Sequence, residues 1–300
     1  MTSTQEMSST QAPAATLSSA PQARKRRRRP LSSRAYTWFR ATALVLVVLA
    51  FVLPLIWMLL SAFKTNVDIY DVSKTLVFTP TIDNFDNVLG RGNYLQFIFN
   101  SAWIAFASTA LSLLVGVPAA YAMSRFSMQR SAGVVLLARI IPGVSLLVPW
   151  YFIFANLRMV GDYSVLILSH MFVALPLIVY IMMSFFDSLP EDLEEQAQVD
   201  GLTPIGAFLQ ITLPLSTPGI ATAGILSIIF SWNNFMFALV LSGANTKTLP
   251  VAIFNFVSYA SIDWGGLMAA AVVVTVPIMV IALFTQKYIV SGLTAGATKG

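Results

Sequence analysis

An acidic segment interrupts an otherwise very apolar chain of 300 residues. Residues 187–217 carry six carboxylate side chains and no Lys or Arg. Carboxylates without basic partners in their own segment can bind a basic surface of another protein, but an ordinary solvated helical hairpin is the simpler alternative. The six residues are Asp187, Glu191, Asp192, Glu194, Glu195 and Asp200. This segment is therefore the first candidate for a docking site.

Two isolated polar residues lie within apolar segments. His170 is the chain's one histidine, and no embedded acid or cysteine accompanies it, so a hydrogen bond in helix packing or at a pore wall is favoured over a metal site or a proton relay. Arg139 is predicted to snorkel to the inner interface or to bind a backbone carbonyl, with gating as the alternative.

Missing motifs restrict the chemistry further. The absence of cysteine excludes disulfides and thiolate sites. No Gly-x-x-x-x-Gly-Lys-Ser/Thr phosphate loop occurs, so the chain does not hold ATP by that device. We predict no metal site, no catalytic residues and no cofactor bound by this chain.

Composition indicates a polytopic membrane protein, because 57% of the residues are hydrophobic and 10% are charged, against about 25% charged in a soluble domain. A span needs roughly 20 mostly apolar residues. We predict an all-α membrane protein with six such segments. They lie at about 41–63, 97–122, 133–155, 164–186, 219–242 and 267–288.

The distribution of Lys and Arg predicts the orientation. Eight of the 18 basic residues precede position 41. They form a cluster expected to anchor on anionic lipid, in preference to a nucleic-acid-binding tail. With that end inside, 12 basic residues fall in inner segments and five in outer ones, so both termini are predicted to be cytoplasmic. Residues 1–40 are predicted as a disordered basic cytoplasmic tail and 41–300 as the transmembrane domain.

Local signals in the acidic segment predict two short helices. Ser188-Leu189-Pro190-Glu191 has capping-box spacing, and the helix after it should run to about Val199. Gly201 supplies a left-handed turn, and Thr203-Pro204 starts a second helix. Ile205, Phe208 and Leu209 are expected to share one face of that helix.

The same segment resembles the EAA motif of permease subunits in bacterial ABC importers. The family pattern is Glu-Ala-Ala, three residues, Gly, nine residues, then Ile-x-Leu-Pro. Here it is Glu195-Gln196-Ala197, then Gly201 and Ile211-Thr212-Leu213-Pro214, with Gln196 replacing the central Ala. Ser231 to Phe235 resembles the Trp-Asn segment of carbohydrate permeases, and residues 286–300 are similar to the ending of maltose-type permease subunits.

The resemblance implies a MetI-like type I importer permease domain over 41–300, with residues 187–217 as its coupling loop. It implies a homologous second permease, an ATPase dimer that binds ATP-Mg, an extracytoplasmic solute-binding protein and a location in the cell (plasma) membrane. It also implies two sets of ATPase contacts. They are the coupling residues Glu194, Glu195, Ala197, Asp200, Gly201, Phe208, Ile211, Leu213 and Pro214, and the C-terminal residues Gly292, Leu293, Thr294 and Gly296.

The Trp-Asn segment could serve the solute directly. A sugar site needs planar polar groups and aromatic faces, which Trp232, Asn233 and Asn234 supply. Since the resemblance implies that the partner permease holds the sugar, pore lining or helix packing is favoured.

The predicted function is thus the pore-forming subunit of an ATP-driven sugar or polyol importer. The alternatives are an ion-coupled secondary carrier of a small polar solute and an intramembrane enzyme. The predicted spans contain no Asp or Glu, which disfavours both.

Overall fold

The computed structural model describes residues 31–91, 93–257 and 262–295, and its regular structure is helical. Pairing of the β type in these residues is confined to two isolated bridges, Gly161 with Ser242 and Val257 with Ile262. The α-helices are α1 Leu31–Ala62, α2 Asn66–Tyr70, α3 Asp83–Asp86, α4 Tyr94–Arg125, α5 Gln129–Leu137, α6 Gly143–Asn156, α7 Tyr163–Phe186, α8 Asp192–Val199, α9 Pro204–Ala207, α10 Leu213–Leu215, α11 Thr217–Trp232, α12 Met236–Leu241, α13 Leu249–Ala252 and α14 Trp264–Ala295.

The chain divides into two contact units, residues 1–53 and 54–300. In the first unit, α1 begins at Leu31, so ten residues of the predicted disordered tail are helical, and residues 1–30 lie outside the described residues. The apolar side chains of α1 from Tyr36 to Leu53 are exposed.

The second unit is a bundle built around α4, α7, α11 and α14. The backbones of α4 and α7 approach closely at Gly116, where an added Cβ would lie 2.9 Å from Ile178 Cγ2. Small residues at such crossings are typical of membrane helices. Side-chain hydrogen bonds join α4 to α11, because Thr109 Oγ1 lies 2.9 Å from Ser227 Oγ and Ser108 Oγ lies 3.2 Å from Ser231 Oγ.

Two of the six predicted spans are broken in the structure. Within the described residues, four helices are long and apolar enough to cross a membrane, and a fifth span results if the bent pair Pro204–Leu215 and Thr217–Trp232 counts as one. The predicted span 133–155 divides between α5 and α6 at Pro142, which lacks an N–H and disfavours helix before it.

The predicted span 219–242 stops at Trp232 and resumes at Met236. Asn233 Nδ2 donates to the Ile229 carbonyl at 2.8 Å, and Asn234 Oδ1 accepts from Phe237 N at 3.2 Å. These side-chain bonds to the backbone offer an alternative to continuing the helix.

Candidate functional site

The acidic segment begins where α7 ends. The predicted capping box is wrong, since α8 begins at Asp192 without a side-chain cap. Ser188 Oγ instead donates to the Phe185 carbonyl at 2.6 Å. The hydroxyl therefore satisfies a carbonyl at the end of α7, and carbonyls there need such partners.

The turn between the two short helices matches the sequence prediction. Gly201 has φ +100°, and Leu202 N donates to the Ala197 carbonyl at 3.0 Å, which closes α8. Thr203 Oγ1 accepts from Gly206 N at 3.0 Å and caps α9, with Pro204 as its first residue.

The second helical stretch is longer and less regular than predicted. A π-helical turn, Phe208–Thr212, links α9 to α10, and the stretch Pro204–Leu215 bends by 70° into α11. Ile205 and Leu209 are exposed, whereas the Phe208 ring lies 4.3 Å from that of Tyr121, centroid to centroid. The expectation that all three share one face is therefore wrong, because Phe208 packs on Tyr121 of α4 while Ile205 and Leu209 are exposed.

Glu194 is buried and fastens the acidic segment to the end of α4. Tyr121 Oη donates to its Oε2 at 2.6 Å, and Thr212 Oγ1 donates to its Oε1 at 2.7 Å. Arg125 Nε donates to the same Oε1 at 2.9 Å. Arg125 Nη2 also lies 2.9 Å from Oε1, but without hydrogen-bond geometry, so that second contact is ionic. One carboxylate thus joins α4, α8 and the π-helical turn.

The charge state of Glu194 follows from these contacts. Burial by itself raises the pKa of the carboxyl, but the donors Tyr121, Arg125 and Thr212 outweigh it and hold the pKa below its usual value. The carboxylate is therefore ionised at neutral pH, and Arg125 has a buried counter-ion. Arg125 Nη1 also donates to the Phe186 carbonyl at 3.2 Å, which adds the end of α7 to the assembly.

The opposite side of α8 is open. Asp192, Glu195 and Asp200 are exposed, with Gln196 and Val199 between them, and the five line a cavity of about 430 Å³. Ala197 is on the buried side with Glu194. The predicted coupling residues therefore separate into an inner pair and an outer acidic face, and Gln196, the departure from the family motif, lies on the outer face.

The remaining predicted coupling residues take both positions. Gly201 and Pro214 are exposed, and Phe208, Ile211 and Leu213 are partly buried. Sequence reasoning missed Tyr121, Arg125 and Thr212 as the partners of Glu194. A Tyr and an Arg four positions apart at the end of an apolar helix, beside an acidic segment, were the available signal.

The Trp-Asn segment falls at the break between α11 and α12. Trp232 is buried, and its Nε1 donates to the Val274 carbonyl of α14 at 3.1 Å, so this side chain packs helices together. Asn233 and Asn234 line an open cavity of about 680 Å³ with Leu177 and Phe230.

His170 makes the predicted helix-packing bond, with Nδ1 2.7 Å from Ser231 Oγ. In the described residues no group of three His, Cys, Asp or Glu side chains could hold a metal ion. Gly292, Leu293 and Thr294 lie in the last turns of α14, and Gly296 lies outside the described residues.

Residues 112–295 match the protein family described as the binding-protein-dependent transport system inner membrane component. The chain is 36% identical over 252 residues to the sulfoquinovosyl glycerol transport system permease protein SmoH of Agrobacterium fabrum, covering 82% of this chain and 88% of that protein. It is 36% identical over 261 residues to the trehalose transport system permease protein SugB of Mycobacterium tuberculosis, covering 85% and 95%. A solved bacterial ABC transporter involved in the import of the acidic polysaccharide alginate has a similar fold, with TM-score 0.75, 19% identity and coverage of 87% and 98%.

Proposed function

Because the chain belongs to the family of binding-protein-dependent transport system inner membrane components, we propose that it forms half of the pore of an ATP-driven importer for a sugar or sugar alcohol. Family membership places it among membrane components of binding-protein-dependent importers. The names of the relatives described above are those of carbohydrate transport systems, which supports the class of solute.

The proposed topology has six spans and cytoplasmic termini. The third span consists of α5 and α6, and the fifth consists of α11 and α12, each pair interrupted in the membrane. The α6 helix, Gly143–Asn156, has 14 residues and is about 21 Å long, shorter than the hydrocarbon core of about 30 Å. The neighbouring short helix supplies the missing length, and breaks are tolerated where they are buried in protein or line a cavity.

The proposed coupling element is residues 187–217, and the observation that carries it is the two-sided structure of α8. Its outer face offers Asp192, Glu195 and Asp200 to a basic cleft of a cytoplasmic ATPase. Its inner face is fastened to α4 through Glu194, so a displacement of α8 moves the end of a pore helix. ATP and Mg²⁺ bind in that ATPase and not in this chain.

The remaining partners follow from the family. A second, homologous permease completes the pore, and an extracytoplasmic solute-binding protein delivers the solute. Gly292, Leu293, Thr294 and Gly296 are the proposed second contact with the ATPase. The complex lies in the cell membrane.

A charge reversal on the outer face tests the proposal. Glu195→Lys should prevent an ATPase subunit from co-purifying with the tagged chain and abolish ATP-dependent uptake, while the protein stays in the membrane. Asp83→Lys is the matched control, because Asp83 is an exposed acid on α3, in the segment proposed to be extracytoplasmic. Normal uptake in the Glu195→Lys strain contradicts docking. Uptake by this chain alone in vesicles with an ion gradient favours the secondary carrier.

A further inference from the structure

A cavity of about 410 Å³ lies where the two broken spans meet. One wall is the break between α5 and α6, and another is the break between α11 and α12. The α7 helix forms a further wall. The lining side chains used below are Arg139, Phe172, Phe230, Asn234 and Phe237.

The cavity lies at the middle of the bundle in depth. Its α7 wall extends from Phe172 to Leu177, and α7 itself runs from Tyr163 to Phe186. Nine residues therefore separate the wall from either end of the helix, about 13 Å at the rise of an α-helix. A hydrocarbon core is about 30 Å thick, so this wall lies close to the membrane midplane.

Arg139 brings an uncompensated charge to this cavity. Of the described residues that line it, Arg139 alone is ionisable. Across residues 31–91, 93–257 and 262–295, no ion pair or hydrogen bond engages its side chain. Charged side chains inside a membrane are costly, face a cavity or a partner, and mark solute pathways. Arg139 is exposed, lines the cavity and follows the end of α5 at Leu137 by two residues, so snorkelling, as predicted above, stays the alternative.

The other lining groups suit a sugar. Asn234 Oδ1 is occupied by Phe237 N at 3.2 Å, which leaves the Nδ2 donors for a solute hydroxyl. Phe172, Phe230 and Phe237 supply aromatic surface. A guanidinium presents paired N–H groups that match the two oxygens of a carboxylate.

On this basis we propose that the cavity is a subsite for a sugar that carries an anionic group, with Arg139 as the residue that selects for the charge. This inference rests on the proposed function and narrows its solute class. The anionic group pairs with the guanidinium, while a ring hydroxyl accepts from Asn234 Nδ2.

A matched pair of sugars tests the proposal. The importer complex is purified through a tag on this chain and placed in lipid nanodiscs, and the dissociation constants of glucuronate and glucose are measured by saturation-transfer NMR. The two sugars share a ring and differ at one carboxylate. Glucuronate should bind at least about tenfold more tightly, the effect of one charge-assisted hydrogen bond. Inorganic sulfate should compete with glucuronate.

Variants connect the preference to Arg139. Arg139→Gln should remove the preference for glucuronate and leave glucose binding unchanged, and Arg139→Lys should keep part of it. Arg130→Gln is the matched control, because Arg130 is an exposed base near the start of α5. The proposal is overturned if wild-type complex binds both sugars equally, if sulfate does not compete, or if Arg139→Gln keeps the preference. If the Arg139→Gln complex does not assemble, the Arg139→Lys complex is measured instead. A preference for glucuronate equal to that of the wild type would then contradict the proposed role of the guanidinium. Co-purification of the ATPase tests the proposed function separately, since Arg139 takes no part in it.

Discussion

The substitution Glu194→Gln separates the two faces of α8. It keeps the size of the side chain and removes the charge, which leaves Arg125 with only the exposed Glu191 carboxylate, 3.8 Å from its Nη1. Both partners of this ion pair are 9% exposed as side chains, so solvent does little to screen them. Removing one partner of a buried pair costs about 3–5 kcal/mol. We expect the lower end, about 3 kcal/mol, because a Gln oxygen in the place of Oε1 still accepts hydrogen bonds from Thr212 and from Arg125 Nε, while Tyr121 faces the amide nitrogen.

The expected result is a local release of α8 from α4. Hydrogen exchange of the amides in residues 192–199 should become about 100-fold faster in the assembled complex, since each 1.4 kcal/mol is a factor of ten. ATP hydrolysis should continue, while the amount of sugar imported per ATP falls. The ratio of sugar imported to ATP hydrolysed distinguishes a loss of coupling between the ATPase and the pore from a loss of folded protein.

Glu195→Gln is the matched control, the same chemical change one residue away on the exposed face. It should leave exchange in α8 unchanged and weaken ATPase binding instead. A double variant, Glu194→Gln with Arg125→Gln, should cost less than the sum of the single changes, because it removes the stranded charge. If Glu194→Gln and Glu195→Gln behave alike in exchange and in the uptake ratio, the reasoning is refuted.

Three further predictions concern pH, a turn and a helix crossing. Because the folded-state pKa of Glu194 is lowered, the stabilisation of the fold by its carboxylate is fully present above the unfolded pKa of about 4.3 and is lost as pH falls through the folded pKa. In the wild type, the amides of α8 should therefore be protected from exchange at pH 5 and above and lose protection below about pH 4. Glu194→Gln should not show this pH dependence. Gly201→Ala should cost about 1–2 kcal/mol of stability, because Gly201 has a positive φ, and should lower uptake. Gly90→Ala is the control and should be neutral: at both positions the added Cβ meets no atom within 4 Å, but only Gly201 has a positive φ. Equal uptake in the two variants would contradict a conformational cause. Gly116→Ala should lower the thermal unfolding temperature, because overpacking costs about 1–3 kcal/mol, and its effect should be smaller in an Ile178→Ala background, which lacks the Cγ2 atom that the added Cβ would meet.

The features that follow from adjacent residues were predictable from the sequence. The end of α8, the left-handed turn at Gly201 and the cap at Thr203 each depend on residues within five positions of one another, and the structure contains all three. The presence of the long apolar helices was equally predictable, because it depends on the hydrophobic composition of about 20 consecutive residues.

The features that depend on distant partners were not predictable. Glu194 looked like one acid among six, and its burial follows from Tyr121, 73 residues earlier in the chain. The sequence left pore lining and helix packing open for Trp232, and the Val274 carbonyl that accepts its N–H lies 42 residues later in the chain. Pro142 is compatible with a kinked helix or a break, and tertiary packing around the cavity decides between them.

The α4 helix links the proposed coupling element, residues 187–217, to the break between α11 and α12. Its last turns bind Glu194 through Tyr121 and Arg125. Nearer its middle, Ser108 lies against Ser231, which in turn contacts His170 of α7. Ser108 and Tyr121 are 13 positions apart on one continuous helix, about 20 Å at the helical rise.

These attachments predict where a movement of α8 goes. Ser231 lies two residues before the break at Asn233, at the C-terminal end of α11. A translation or rotation of α4 therefore acts on the end of α11, which no further helical turn holds in place. A release at Glu194 should therefore slow solute movement without altering the affinity of the complex for solute. A change in sugar affinity in Glu194→Gln would place the coupling outside α4.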